Sequence, residues 1–311
     1  PSMGSWVQYG LGSESRDLPG FVVLTPRGGR DPQPLSTRQW GAGFLPGHLQ
    51  GVELRSQGAL VPYADLPEGV GTEAQGRVVA ARNALDSLSP LSADPDVQAR
   101  IQQYELAFRM QQAVPELTDL SREDDATLGL YGLAPEVRGG GDGSFAYNCL
   151  LARRLLERGV RFVQLYHRGW DHHNDLVRYM KVCAGLTDEP AAGLLLDLER
   201  RGMLEDTLVV WTGEFGRTPM VQTNKGGPGR DHHMRAFSGW LAGAGVRAGI
   251  THGATDDLGY HVAEGRVHVN DLHATMLHLL GLDHERLTVR AQGRDFRLTD
   301  VAGRVVREIL S

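Results

Sequence analysis

The 311-residue chain has few cysteines, no run of basic residues and no long apolar segment. Two cysteines, Cys149 and Cys183, cannot form a disulfide framework and are not spaced as in a zinc knuckle, so we expect two partly buried thiols. No apolar stretch reaches the roughly 18 residues of a membrane helix, so no membrane span is predicted. The net charge of −6 and the lack of Lys/Arg-rich runs argue against a nucleic-acid-binding protein.

The composition is that of an ordinary globular protein, with 41% hydrophobic and 23% charged residues. A chain of this length has room for one large α/β domain or for two smaller ones. It starts at Pro1 without an initiator methionine or a signal peptide, and residues 1–6 are typical of the interior of a domain. We therefore expect an N-terminal portion of the domain to lie upstream of Pro1.

Helical and strand patterns alternate along the chain, which predicts a doubly wound, mostly parallel α/β sheet flanked by helices. Apolar spacing indicates helices at 77–88, 95–113, 144–159, 176–201 and 271–280, with Pro115 ending the second and Asn270 capping the last. Short apolar runs indicate strands at 21–24, 161–166, 207–211 and 237–242, and the run at 207–211 is typical of a parallel sheet. We predict one domain over 1–311, loop-rich and helical at 1–143, with the sheet core at 144–311.

The twelve histidines are unevenly distributed, because His48 alone precedes residue 160 and the other eleven lie between His167 and His284. Histidines clustered with aspartates indicate a metal site or an acid–base site. Three polar clusters follow the predicted strands, at 170–175 (Trp-Asp-His-His-Asn-Asp), 213–218 (Gly-Glu-Phe-Gly-Arg-Thr) and 229–233 (Gly-Arg-Asp-His-His). Parallel strands place their carboxyl ends at one edge of a sheet, where ligands bind, so we expect the clusters to meet there.

Carboxylate and imidazole ligands together suit zinc, manganese or another borderline divalent ion. The predicted ligands are Asp171, His173, Glu214, Asp231 and His232, and either His261 or His268 is a candidate for a last one. Two ions about 3.5–4 Å apart would hold an ester oxygen between them. The planar guanidinium groups of Arg217 and Arg230 match the oxygens of a sulfate or phosphate, so both are predicted to bind the substrate.

Each of these motifs also has a simpler interpretation. The Asp-His-His triplet at 171–173 could be a surface loop, Glu214 could cap a following helix, and Arg217 could pair with Glu214 alone. Most of the histidines after residue 250 are expected to be structural. It is the combination of the three clusters, rather than any one of them, that favours a metal site.

The same segments resemble a known family. The resemblance lies in Trp-Asp-His-His at 170–173, Trp-Thr-Gly-Glu-Phe-Gly-Arg-Thr-Pro at 211–219, Gly-Arg-Asp-His at 229–232 and Asp-Leu-His-Ala-Thr at 271–275. The chain is similar to a large bacterial family of sulfatase-like proteins, the DUF1501 type of unknown function, within the alkaline phosphatase superfamily. The likeness extends over almost the whole chain, including 1–6 and 293–300.

This resemblance implies a sheet between layers of helices, one or two divalent ions (zinc, calcium or manganese) and hydrolysis of sulfate or phosphate esters. It also implies an extracytoplasmic location, either periplasmic or secreted. Asp171 with His173 would match the first ligand pair of the family, and Asp231 with His232 would match the later pair. Glu214 stands where relatives place an aspartate.

Two departures from the family pattern bear on activity. Relatives of known activity have Asp-His directly after the strand, whereas Phe215 follows Glu214 here, which puts the two-ion arrangement in doubt. No Cys-x-Pro-x-Arg sulfatase signature occurs in the chain, so the nucleophile is expected upstream of Pro1. A chain without that residue is expected to be inactive by itself.

The sequence therefore predicts a metal-dependent hydrolase of sulfate or phosphate esters, acting on a small molecule or a glycan. The main alternative is a non-catalytic protein on the same fold that binds sulfated or phosphorylated glycans, which the missing nucleophile and Phe215 favour. A third possibility is a metal-dependent hydrolase of another bond, such as an amide.

Overall fold

The computed structural model describes residues 1–26, 35–56, 60–61, 69–90, 92–224 and 226–311. The described residues divide into two compact units, a first unit that ends at His167 and a second unit that runs from Arg168 to Ser311. None of the helices in the described ranges is both long and apolar enough to cross a membrane. Each unit has its own secondary structure and is described by itself.

A three-stranded parallel sheet forms the centre of the first unit, in the order β2-β1-β3. Its strands are β1 (Phe21–Thr25), β2 (Val52–Arg55) and β3 (Phe162–Leu165). β1 is the middle strand, and its first four side chains are all buried, as expected for a strand whose residues are apolar on both faces. The predicted strands at 21–24 and 161–166 are confirmed, and so is the mixed α/β class.

The helices of the first unit are α1 (Met3–Leu11), α2 (Thr72–Ser87), α3 (Pro95–Thr118), α4 (Asp125–Leu130) and α5 (Phe145–Leu156). Short 3₁₀ turns lie at Thr37–Trp40, Gly47–Leu49 and Pro135–Gly139. The prediction that Pro115 ends the second helix is wrong, because α3 continues to Thr118. A proline so near the carboxyl end removes one backbone hydrogen bond and leaves the last turn free to form.

A buried ionic cluster joins α5 to the segment before α4. The carboxylate of Glu123 accepts a hydrogen bond of 2.6 Å from Arg153 on one oxygen and another from Arg154 on the other. Burial by itself raises the pKa of Glu123, but the hydrogen bonds and charges of Arg153 and Arg154 outweigh that effect and leave the pKa below its usual range. Arg154 also donates to the backbone carbonyls of residues 116, 117 and 119, so the cluster fixes the end of α3.

The described part of the second unit contains two long helices and a set of two-stranded antiparallel ladders. The helices are α6 (Leu176–Arg200) and α7 (Val269–Leu279), with 3₁₀ turns at Leu204–Asp206 and Arg307–Ile309. The first strands are β4 (Val209–Thr212), β5 (Gly216–Arg217), β6 (Gln222–Asn224), β7 (Gly227–Gly229), β8 (His232–His233) and β9 (Gly239–Ala242). The last strands are β10 (Ala254–Thr255), β11 (Val262–Glu264), β12 (Val289–Ala291) and β13 (Arg294–Phe296).

The strand at 207–211 differs from its prediction in its partner. β4 pairs with β9 in antiparallel register, with Trp211 opposite Trp240, and its apolar side chains are only half-buried. A short apolar run is compatible with a parallel or an antiparallel neighbour, because strand pairing depends on residues distant in sequence. The two cysteines behave as predicted, since Cys149 and Cys183 are both free and buried.

Helix α7 begins two residues earlier than its apolar pattern indicates. Its N-cap is His268 rather than Asn270, because the His268 ring nitrogen accepts from the Asn270 backbone while Asp271 accepts from the His268 backbone. This reciprocal arrangement is a capping box in which histidine takes the usual place of serine or threonine.

Candidate metal centre

Three ligand-type side chains converge in the second unit. The Oδ1 atom of Asp171 lies 3.0 Å from Nε2 of His173 and 2.9 Å from Nε2 of His232. The two imidazole Nε2 atoms are themselves 3.0 Å apart. Asp171, His173 and His232 form the one group of three or more such ligands found among the described residues. We call it the Asp171 cluster.

Residues 170–173 reach the cluster through two successive tight turns before α6. The backbone N–H of His172 donates to the Trp170 carbonyl at 2.9 Å, and that of His173 donates to the Asp171 carbonyl at 3.0 Å. The turns leave the ligand atoms of Asp171 and His173 3.0 Å apart, whereas the His172 ring is buried at 4% exposure and lies against Trp170 and Tyr179. The backbone of His172 is then tied to the third motif, because its carbonyl accepts from the Arg230 N–H at 3.0 Å.

The second and third motifs bring His232 to the cluster by pairing with each other. β5 and β8 form a short antiparallel ladder in which Arg217 lies opposite His232. The backbone N–H of Thr218 donates to the Asp231 carbonyl at 2.9 Å, which extends the same contact. Two segments that are separate in sequence thus bring Arg217 and His232 into contact with the same oxygen, Oδ1 of Asp171.

Gly229 allows the hairpin of β6 and β7 to pack directly against the backbone after His173. A Cβ atom at this position would lie 2.1 Å from the His173 carbonyl carbon and 2.4 Å from the Asn174 nitrogen, so only glycine fits. Gln222 is opposite Gly229 in the hairpin. The close approach therefore also brings the Gln222 side chain to the His173 ring.

Arg217 supplies the positive charge beside the cluster. Its guanidinium donates a hydrogen bond of 2.5 Å to Oδ1 of Asp171, the oxygen that both imidazoles face, and a longer one to the Trp170 carbonyl. Burial raises the pKa of Asp171, but the hydrogen bonds from Arg217 and His232 and the charge of Arg217 outweigh it and hold the pKa below its usual range. The carboxylate is therefore ionised at neutral pH.

The two imidazole rings are each held by a further side chain. Nδ1 of His173 lies 2.7 Å from Oε1 of Gln222, and the His232 ring packs against Phe215 with a centroid separation of 4.4 Å. Phe215 thus orients a ligand-type residue by ring contact.

The other predicted ligands occupy the surroundings of the cluster. Oδ1 of Asp231 accepts from the His232 backbone at 2.8 Å and lies 3.8 Å from Nδ1 of His173, on the side of the ring away from Asp171. Glu214 is exposed in the bend between β4 and β5, where a strand rather than a helix follows. Neither residue belongs to the three-ligand group.

The remaining candidates have contacts of their own. The exposed His261 packs edge-on against Tyr260, and His268 caps α7. Arg230 is exposed next to the cluster, whereas Arg217 pairs with Asp171 and not with Glu214 alone. The sequence pointed to neither Gln222 nor the contact of Phe215 with His232, because each depends on two segments meeting in space.

The donor set of the Asp171 cluster fits a single divalent ion. Catalytic zinc sites use three protein ligands of this kind, at about 2.0–2.2 Å from the ion, and leave a fourth position open. Two imidazole nitrogens and a carboxylate oxygen also suit iron(II) and manganese(II). Lone pairs of three such atoms about 3 Å apart repel one another unless a cation or a proton lies between them.

The family comparison covers nearly the whole chain. A model of the family described as "Protein of unknown function (DUF1501)" matches residues 1–310. The chain is a member of the DUF1501 family. No curated protein and no solved structure matches it. The predicted DUF1501 membership is confirmed. Among the described residues of this DUF1501 protein, the Asp171 cluster is the group that indicates a function.

Proposed function

We propose that the Asp171 cluster binds one divalent cation and that this DUF1501 protein is a metal-dependent hydrolase of sulfate or phosphate esters. The observation that carries the proposal is the convergence of three ligand atoms from two distant motifs within 3.0 Å of one another. The described residues form one such group, so the proposal is for one ion rather than two. The alkaline phosphatase-type doubly wound fold and an extracytoplasmic location belong to the same proposal.

The site offers the charges that ester hydrolysis requires. Asp171, His173 and His232 would hold the cation, which would supply positive charge to the oxygens of a sulfate or phosphate group. Once a cation neutralises Asp171, the guanidinium of Arg217 loses its present counter-charge, and its planar fork matches two oxygens of such a group. The nucleophile in this proposal is a residue outside the Asp171 cluster.

The position of Phe215 favours the second candidate, a protein that binds sulfated or phosphorylated glycans without cleaving them. An aromatic ring packs against His232 there, and the described residues form one three-ligand group rather than two. Both candidates need the cation, and they differ in turnover alone.

Cation binding is the first test. The purified chain, treated with a chelator, is titrated with Zn²⁺, Mn²⁺ and Ca²⁺ by calorimetry, and bound metal is counted by elemental analysis. We expect one ion per chain, and we expect Asp171→Asn to weaken binding by more than the roughly 10- to 100-fold that loss of an outer partner costs. The matched control is Asp257→Asn, at an exposed position outside the cluster. Wild-type protein that binds none of these ions would refute the proposal.

Turnover separates the two candidates. The complete encoded protein is assayed on aryl sulfates and aryl phosphates with and without the cation identified above. Metal-dependent hydrolysis that Asp171→Asn abolishes supports the hydrolase. Metal-dependent retention of sulfated glycans with no turnover supports the binding protein instead.

A further inference from the structure

We propose that Gln222 is a positioning residue, which fixes the ring of His173 with its proton on Nδ1 so that the lone pair of Nε2 can bind a cation. This inference rests on the proposed metal site. It assigns a role to a side chain outside the three motifs that carry the cluster. The contact that suggests it is the 2.7 Å separation between Nδ1 of His173 and Oε1 of Gln222.

The chemistry of the two atoms decides which of them donates. An amide oxygen accepts hydrogen bonds and cannot donate one, so a bond between these atoms requires an N–H at Nδ1 of His173. A neutral imidazole carries one proton, which leaves a lone pair on Nε2. That nitrogen is the one that lies 3.0 Å from both Asp171 Oδ1 and His232 Nε2. The Gln222 contact therefore favours the tautomer that a metal ligand needs, in competition with the Asp171 carboxylate on the Nε2 side of the ring.

The backbone holds Gln222 in this place. β6 and β7 pair with Gln222 opposite Gly229, and Gly229 packs so closely on the His173 backbone that no side chain fits there. The amide is thus attached to a strand whose distance from His173 is set by backbone contact. Only the side-chain dihedrals of Gln222 are then left for the hydrogen bond to order.

Asp231 acts on the same side of the ring. Its Oδ1 atom is 3.8 Å from Nδ1 of His173, and it is kept there by the hydrogen bond from the His232 backbone. A carboxylate near Nδ1 stabilises a proton on that nitrogen and increases the basicity of the other. Two acceptors, Gln222 and Asp231, therefore favour the same tautomer, which gives Asp231 an outer role in place of the ligand role predicted for it.

The decisive variants are Gln222→Met, which keeps the shape of the side chain without an acceptor, and Gln222→Glu, which restores an acceptor. The control is Thr223→Met, because Thr223 is exposed and is the next residue on β6, with its side chain on the opposite face. Co²⁺ affinity is measured by calorimetry, and the visible Co²⁺ spectrum reports the ligand geometry. We expect Gln222→Met to weaken Co²⁺ binding about 10- to 100-fold, with Gln222→Glu and Thr223→Met close to wild type.

A second measurement needs no metal. Long-range ¹H–¹⁵N NMR of the metal-free chain, with the His173 signals assigned from their loss in His173→Asn, reports which ring nitrogen carries the proton. We expect the proton on Nδ1 in wild type and a mixture of tautomers in Gln222→Met. A wild-type proton on Nε2, or an unchanged Co²⁺ affinity in a folded Gln222→Met protein, would overturn the inference.

The two proposals can fail separately. If wild-type protein binds no cation, the proposed function fails, while the NMR measurement still decides whether Gln222 sets the tautomer. If wild type binds Co²⁺ and Gln222→Met binds it equally well, the metal site stands and the positioning role does not. Should Gln222→Met not fold, the wild-type tautomer remains measurable and decides the question.

Discussion

Two carboxylates in this protein each accept a hydrogen bond from an arginine, but their surroundings differ. Glu123 of the first unit has a side chain only 6% exposed, and it lies between Arg153 and Arg154. Asp171 of the second unit has a side chain 31% exposed, and it faces Arg217 together with two imidazoles. The first carboxylate is closed off from water, whereas the second is accessible to it.

This difference distinguishes a structural ion pair from a site that can bind a metal ion. Arginine stays protonated in proteins, so both guanidinium partners of Glu123 are permanent cations and offer no lone pair. Imidazole exchanges its proton near neutral pH and binds metals in its neutral form. A carboxylate beside two imidazoles, partly open to solvent, can therefore accept an ion. The predictions below test this contrast.

The largest expected effect is a loss of stability on substitution in the buried ionic cluster of Glu123. Glu123→Gln removes the buried carboxylate that Arg153 and Arg154 share, and the loss of one partner from a buried ion pair typically costs about 3–5 kcal/mol of unfolding free energy. Urea unfolding followed by circular dichroism measures the change. The control is Glu157→Gln, which removes the more exposed partner of Arg153 and should cost much less. Equal losses in the two variants would contradict the closed, structural nature of the Glu123 cluster.

The next largest effect is on the cation affinity of the Asp171 cluster. Gly229→Ala places a methyl group against the His173 backbone, so the hairpin of β6 and β7 must move away from the ring. We expect divalent cation affinity to fall at least about 10-fold, which is roughly 1.4 kcal/mol. The control is Gly185→Ala in α6, where an added Cβ meets no atom within 4 Å. Unchanged affinity in Gly229→Ala would show that the hairpin does not position the site.

Replacement of arginine by methionine should have different consequences at Arg217 and at Arg153. Arg217→Met removes a positive charge from Asp171, so we expect cation affinity to rise, with stability changed by about 1 kcal/mol or less because the pair is partly exposed. Arg153→Met removes a partner from a buried carboxylate and should destabilise the fold. Calorimetry and urea unfolding of both variants measure the two effects. Weaker cation binding by Arg217→Met would mean that Arg217 supports the site rather than competing with the ion.

The smallest expected effect is a dependence of stability on pH. The pKa of Glu123 is lowered in the folded protein, so its contribution to stability is fully present above the pKa of the unfolded chain. That contribution is lost as the pH falls through the lower, folded pKa. We expect the difference in unfolding free energy between wild type and Glu123→Gln to narrow as the pH decreases below about 4. A constant difference over that range would contradict the assignment.

Local patterns predicted much of the secondary structure. The strand at 21–24 and the helices α5 and α6 were predicted from local apolar spacing, which does not depend on what packs against them. The structure has all three. The partner of β4 was not predictable in this way, because β9 lies far along the chain. Nor was the cap of α7, since histidine is an unusual N-cap residue.

The candidate site was predictable in its motifs but not in its pairings. Asp171, His173 and His232 stood out because acidic and imidazole side chains recur in short clusters. Which members of each cluster meet depends on the tight turns at 170–173 and on the ladder of β5 and β8. A single glutamine at the start of a two-stranded hairpin carries no local signal, and Gln222 became visible only through its distance to His173.

The contact of Arg217 with the Asp171 cluster affects how the protein would acquire an ion. Arg217 already places a cation on the oxygen of Asp171 that faces both imidazoles. Proteins whose acidic ligands face one another without a counter-ion often need the metal in order to fold. Here the arginine substitutes for it, so the chain is expected to reach its folded state in the absence of metal and to take up or release an ion afterwards, as an exchangeable ligand rather than a structural one.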